Sequence, residues 1–198
     1  FMGDSGAGKS ETLEALSHLA SDIIDHQETV FDDMGSVHID QNGQLKAEGT
    51  EIGAFVRLDD LEKATAYKDL HRSIFFNPEK KNARVVVPAG SYKLITKDHD
   101  IDCFIYANNY TDQRGMHLFK DEEEAKTTFI EGKRFALGTT QETGLSKTFF
   151  ANPFGPMQKQ KECSTLIDQV FDKLFEQQIP VGEVYTCLGL PDKGNHGI

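Results

Sequence analysis

Gly3-Asp4-Ser5-Gly6-Ala7-Gly8-Lys9-Ser10, close to the start of a 198-residue chain, is the stretch that decides the fold. It fits G-x-x-x-x-G-K-[ST] with one extra glycine at Gly6, and a helical pattern opens directly behind it at Glu11. Glycines let a backbone adopt φ > 0 and bring its N–H groups up to phosphate oxygens. A helix beginning near Gly8 aims its positive end at the same anion. Lys9 would reach the β- and γ-phosphates, and the Ser10 hydroxyl would sit on Mg²⁺. Residues Gly3 to Glu11 are therefore the expected nucleotide contacts, and a nucleoside triphosphate is the expected ligand. Such a loop is normally launched from a buried strand. Only Phe1 and Met2 precede Gly3, so the launching strand, and a further domain with it, is expected to lie upstream.

Composition narrows the partners. Hydrophobic residues make up 38% and charged residues 27%, as in an ordinary globular domain. The net charge of -11 disfavours a general nucleic-acid or anionic-membrane surface. An acidic chain that binds ATP must gather its cations locally, which draws attention to Lys9, Arg57, Arg72, Arg84, Lys133 and Arg134. Cys103, Cys163 and Cys187 are odd in number and lack C-x-x-C spacing, which points to free thiols in a reducing cytoplasm. No apolar run approaches a membrane span, and no signal peptide is visible.

Along the chain, Leu13, Leu16, Ala20, Ile23 and Ile24 recur at helical spacing and predict an amphipathic helix from Lys9 to His26. Val30-Phe31-Asp32-Asp33 reads as a short strand ending in two carboxylates. Val37 and Ile39 alternate with polar residues before Asn42-Gly43, a hairpin turn signal. Ile52 to Leu58, Ser73 to Phe76, Arg84 to Val87, Cys103 to Ala107 and Glu183 to Leu188 read as further strands. Asp121-Glu122-Glu123-Glu124 marks a helix start, where carboxylates oppose the positive dipole end. Gly132 to Gly155 has no clean periodicity and is expected to be a loop. Cys163, Leu166, Ile167, Val170, Phe171, Leu174 and Phe175 form a helical stripe.

A carboxylate pair after a phosphate loop suits Mg²⁺, which takes oxygen ligands and waters held by acids. Asp32 and Asp33, with Ser10, are thus the expected metal residues. Several segments, in order, resemble the nucleotide-binding domain of ATP-type phosphoenolpyruvate carboxykinase. The phosphate loop is one and Asp32-Asp33 another. Glu48-Gly49 followed by Ile52 to Leu58 is similar to E-G-G-x-Y-A-K, and Asn82 to Pro88 to N-T-R-x-x-Y-P. Gly138-Thr139-Thr140-Gln141-Glu142-Thr143-Gly144 resembles the G-T-E-x-G lid, and Thr148 to Gly155 the F-x-x-x-F-G-x-P-F stretch beyond it.

The resemblance implies an α/β domain, a carboxykinase-like C-terminal domain with a mixed curved sheet and flanking helices, spanning 1–198 with a lid at 132–155. It implies ATP and Mg²⁺ or Mn²⁺, an oxaloacetate-decarboxylating phosphoryl transfer of the kind used in gluconeogenesis, and Lys9, Asp33 and Arg84 as catalytic residues. Lid residues would be Gly138, Thr139, Thr140, Glu142 and Gly144. The chain departs from the family where Ala54 or Phe55 replaces a lysine, for which Arg57 is the nearest substitute, and where Met34-Gly35 follows Asp33. The family's groups for the oxaloacetate carboxylates and a second metal have no counterpart in 1–198. This chain alone is therefore expected to bind nucleotide without turnover. Gly8-Lys9-Ser10-Glu11-Thr12, followed by Leu13 and Leu16, looks more like HPr kinase/phosphorylase, a serine kinase on a similar core. A regulatory GTPase would use Asp32 to Gly35 as D-x-x-G but lacks an N-K-x-D guanine reader.

Overall fold

A computed structural model of the chain describes residues 1–19, 22–57, 74–76, 84–137 and 143–190. It divides into two compact units, Phe1–Leu13 with Ile101–Ile198, and Glu14–Asp100. Helix α1 (Lys9–Leu19) leaves the phosphate loop directly. It is shorter than its apolar spacing predicts: Ile23 lies outside it and is 85% exposed, so that part of the stripe has no core to face.

In the unit Glu14–Asp100, β1 (Gly35–Ile39), β2 (Leu45–Gly49) and the two-residue β6 (His99–Asp100) form an antiparallel sheet in the order β1-β2-β6 once all three are traced. The β1–β2 hairpin turns at Asn42-Gly43, where Asp40 Oδ1 accepts from the Asn42 and Gln44 N–H groups at 2.8 Å each. A second sheet joins β3 (Gly53–Arg57), β4 (Ile74–Phe76) and β5 (Arg84–Pro88), with β5 in the middle. Ala54, Val85 and Val87 are fully buried there. The short helix α2 (Tyr92–Ile95) is capped by Ser91 and buries Ile95.

The expected strand at Val30–Asp33 does not form. The β1 ladder starts at Gly35, paired with Gly49, and the Phe31 ring occupies the space that a side chain at Gly35 would fill. The aromatic side chain packs over the glycine pair, and its backbone stays outside the ladder.

In the other unit, β7 (Phe104–Asn108) and β8 (Met116–Leu118) precede α3 (Glu122–Glu131), the hairpin β9 (Lys133–Leu137) with β10 (Thr143–Lys147), helices α4 (Gly155–Gln158) and α5 (Gln160–Glu176), and β11 (Val181–Tyr185). Strand β11 pairs in parallel with β7 and antiparallel with β8. Met2 adds a parallel bridge on the far side of β7, its N–H donating to Ile105 O and its carbonyl accepting from Ala107 N, both at 2.8 Å. The architecture is thus α/β with a mixed sheet, and the phosphate loop leaves that sheet at the carboxyl end of its parallel strands, where open α/β sheets bind ligands.

Alternation along β7 buries both faces. Phe104 and Tyr106 meet α3 and α5 in an aromatic cluster with Phe129 and Phe171, at centroid distances from 4.8 to 6.2 Å. Ile105 and Ala107, on the opposite face, are also buried. Asp121 caps α3 by accepting from Glu124 N at 2.8 Å, as the acidic run predicts. The helix ends at Gly132 with φ +50°, where an added Cβ would lie 1.9 Å from Thr148 O, so only glycine fits.

Two expectations need correction in this unit. The 132–155 segment is not an irregular loop: it holds the β9–β10 hairpin and a single 3-10 turn at Phe149–Ala151. The closing strand runs Val181–Tyr185 rather than Glu183–Leu188, because it is buried from Val181 and the chain then turns at Cys187, where φ is +55°.

Candidate phosphate-binding site

The loop turns through two glycines with positive φ, Gly6 at +77° and Gly8 at +102°. At Gly8 space is limiting as well: an added Cβ would lie 2.8 Å from Thr186 Cβ and 2.9 Å from Leu188 Cδ1. Lys9 folds back along the loop, its Nζ donating to Gly3 O at 2.8 Å and to Asp4 O at 3.4 Å. Its ammonium is therefore held at the loop and not spread into solvent. Ser10 and Glu11 are exposed in the first turn of α1, and Thr12 N donates back to Gly8 O at 3.0 Å.

Three side chains from elsewhere in the same unit capture successive loop carbonyls. Arg134 Nη1 donates to Ser5 O at 2.6 Å, Asn109 Nδ2 to Gly6 O at 3.0 Å, and Thr186 Oγ1 to Ala7 O at 2.8 Å. Asn109 is itself fixed by β9, donating to Phe135 O and accepting from Phe135 N. In a trans peptide the C=O of one residue and the N–H of the next point in opposite directions. Capturing the Ser5 and Ala7 carbonyls therefore turns the Gly6 and Gly8 N–H groups away from the protein. Two backbone donors and a lysine ammonium thus lie on one loop, while the Ala7 N–H is used within it, donating to Asp4 O at 3.1 Å. N–H groups and an ammonium are the chemistry that binds a polyphosphate.

Asp4 takes a different part from the one its place in the motif implies. Its carboxylate is buried and turned from the loop mouth: Oδ2 lies 3.0 Å from Arg134 Nε and accepts from Thr148 Oγ1 at 2.8 Å, while Oδ1 accepts from Ser5 N at 2.6 Å. Only its backbone can serve a phosphate. Nearby phenols are kept neutral. Burial raises Tyr106, whose hydroxyl donates to Lys133 O at 2.7 Å. Burial, with the Glu183 carboxylate second, pushes Tyr110 up to about 12.

The structure thus brings together Gly3 to Lys9, Arg134, Asn109, Thr148 and Thr186. Gly3 to Lys9 were expected from the motif, and Arg134 was marked in the sequence as a cation. Asn109 and Thr186 are single polar residues with no motif to announce them, and Thr148 opened a resembling stretch that was not linked to the loop, although each of the three follows the carboxyl end of a strand. Among the expected lid residues, 138–142 lie outside the described residues, while Gly144 pairs with Ala136 in the hairpin.

Asp32, Asp33 and Arg84 belong to the unit Glu14–Asp100. Arg84 opens β5 in register with Arg57. Glu51, which accepts from Met34 N at 3.0 Å, has its carboxyl raised above the ordinary glutamate value, first by burial and then by the Asp33 and Asp32 charges. A carboxyl raised in the folded state costs stability above its folded pKa, and the cost disappears below the unfolded value of 4.5. Glu51→Gln should therefore raise the melting temperature at neutral pH, with the gain fading as pH falls through the raised folded pKa and gone below 4.5. A gain undiminished in acid would place its origin elsewhere.

Among the described residues no group of three or more His, Cys, Asp or Glu side chains is placed to hold a metal, and no helix is long and apolar enough to cross a membrane. The chain matches no protein-family model and no curated protein.

Proposed function

We propose that this chain binds ATP with Mg²⁺ and serves phosphoryl transfer, as the nucleotide-binding domain of a phosphoenolpyruvate carboxykinase-like enzyme. The observation that carries the nucleotide part is the capture of the Ser5, Gly6 and Ala7 carbonyls beside a retained Lys9 ammonium. The carboxykinase part rests on the order of the resembling segments.

The donor set suits magnesium, which uses one or two carboxylates with phosphates and waters and needs no closed protein cage. Ser10 would serve it from the phosphate loop, with Asp32 and Asp33 as its carboxylates by resemblance alone, and its charge would offset that of the triphosphate. Lys9, with Arg84 by resemblance, would spread the charge of the transferring phosphoryl group. In this reading oxaloacetate loses CO₂, and the enolate oxygen attacks the γ-phosphate, breaking its bond to the β,γ-bridging oxygen so that phosphoenolpyruvate forms and ADP leaves.

Two measurements test the reading. Calorimetric titration with ATP and Mg²⁺ should show saturable binding to this chain. A form of the protein that carries groups for the oxaloacetate carboxylates, assayed with oxaloacetate, ATP, Mg²⁺ and Mn²⁺, should form phosphoenolpyruvate and CO₂. Nucleotide binding without that turnover would redirect the acceptor to a protein hydroxyl, as in the HPr kinase type. In the active protein Asp33→Asn should lower the apparent metal affinity about 10- to 100-fold with the melting temperature unchanged. Lost stability with an intact metal response would make the pair structural.

A further inference from the structure

The Asp4–Arg134 pair poses a physical problem. A carboxylate in a loop built for a polyanion opposes its ligand, and in a poorly solvated setting that repulsion is screened weakly. The Asp4 and Arg134 side chains are only 9% and 6% exposed. A buried charge is tolerated when it is paired and hydrogen-bonded, and becomes costly when one partner is removed. Here the carboxylate has the Arg134 guanidinium, the Thr148 hydroxyl and the Ser5 N–H. Arg134 lies in β9, and Thr148 immediately follows β10, so both arms of one hairpin close on the same loop residue.

We infer that Arg134 is a positioning residue of the phosphate loop: it neutralises Asp4 while holding the Ser5 carbonyl, and so makes the loop acceptable to a polyphosphate. The inference rests on the nucleotide-binding reading above. Its consequence is an asymmetry between two variants that both break the pair. Arg134→Gln leaves a buried carboxylate without its counter-charge in the same loop as the ligand. Asp4→Asn removes the opposing charge from the loop and keeps the guanidinium, which adds to the positive field met by the triphosphate.

The test is a four-member cycle of wild type, Asp4→Asn, Arg134→Gln and the double variant, each titrated with ATP·Mg²⁺ and with AMP and melted without ligand. Both single variants should melt below wild type. Arg134→Gln should bind ATP about tenfold or more weakly, with a smaller loss for AMP, whereas Asp4→Asn should bind ATP as tightly as wild type or more tightly. The double variant should return to within about threefold of wild type. A merely structural pair would move both single variants in the same direction. If Arg134→Gln fails to fold, Asp4→Asn decides alone, because weakened ATP binding there overturns the inference. A double variant as weak as Arg134→Gln overturns it also. Wild type that binds no ATP overturns both this inference and the nucleotide reading, whereas wild-type binding with the wrong pattern of variants overturns this inference only.

Discussion

Replacing Lys9 by alanine is expected to weaken ATP·Mg²⁺ binding or phosphoryl transfer by about 2–4 kcal/mol, roughly 30- to 1,000-fold. The Nζ already donates to Gly3 O and Asp4 O, so little side-chain freedom remains to be lost when phosphate arrives. Removing it deletes a charge-assisted contact at the place where negative charge concentrates. Lys9→Met separates this effect from packing, since it keeps an aliphatic stem and loses only the ammonium. Both variants should lose affinity to a similar extent in calorimetry. Equal affinity and turnover in wild type and Lys9→Ala would sink the assignment of this loop.

The largest expected loss of stability lies at Phe129. It is fully buried, stacked on Phe104 at 4.8 Å and edge-on to Tyr106 at 5.3 Å and Phe171 at 5.4 Å. This one ring joins β7, α3 and α5. Phe129→Ala removes the ring's transfer energy and leaves a cavity that three aromatic neighbours cannot easily close, at a cost of about 3–5 kcal/mol. Phe129→Leu keeps most of the volume and should cost much less. Urea unfolding can be followed by tyrosine emission, because the chain has no tryptophan and three of its five tyrosines, Tyr106, Tyr110 and Tyr185, lie in this unit. A loss below about 1 kcal/mol for the alanine variant would show that the cluster is not the centre of the core.

What could be read from the sequence follows from how local each signal is. Asp121 before three glutamates and the stripe from Cys163 to Phe175 both gave helices, since capping and amphipathic spacing act within one or two turns. Asn42-Gly43 marked its hairpin for the same reason. The β9 strand was missed because its inward positions are Arg134 and Ala136, and a buried arginine breaks the apolar alternation by which strands are recognised. The residue that spoils the pattern is the one whose guanidinium reaches the Ser5 carbonyl. Val30 to Asp33 misled in the opposite sense, because an apolar pair beside carboxylates looks like a strand end while Phe31 is spent on filling the space over Gly35 and Gly49. The loop was legible as a motif, but its supports were not, since Asn109 and Thr186 are distant in sequence and unremarkable by type.

That distance carries a consequence for how the protein is made. The hydroxyl holding Ala7 O belongs to Thr186, 179 residues further along the chain. The adjoining β11 strand must find β7 in parallel, a pairing that is slow because it closes a long stretch of chain. In a nascent polypeptide the phosphate motif therefore emerges 179 residues before the hydroxyl that completes its cradle. Nucleotide affinity should then appear late and abruptly in a series of chains lengthened from the amino end, and a bound nucleotide would favour the finished unit over earlier states by mass action.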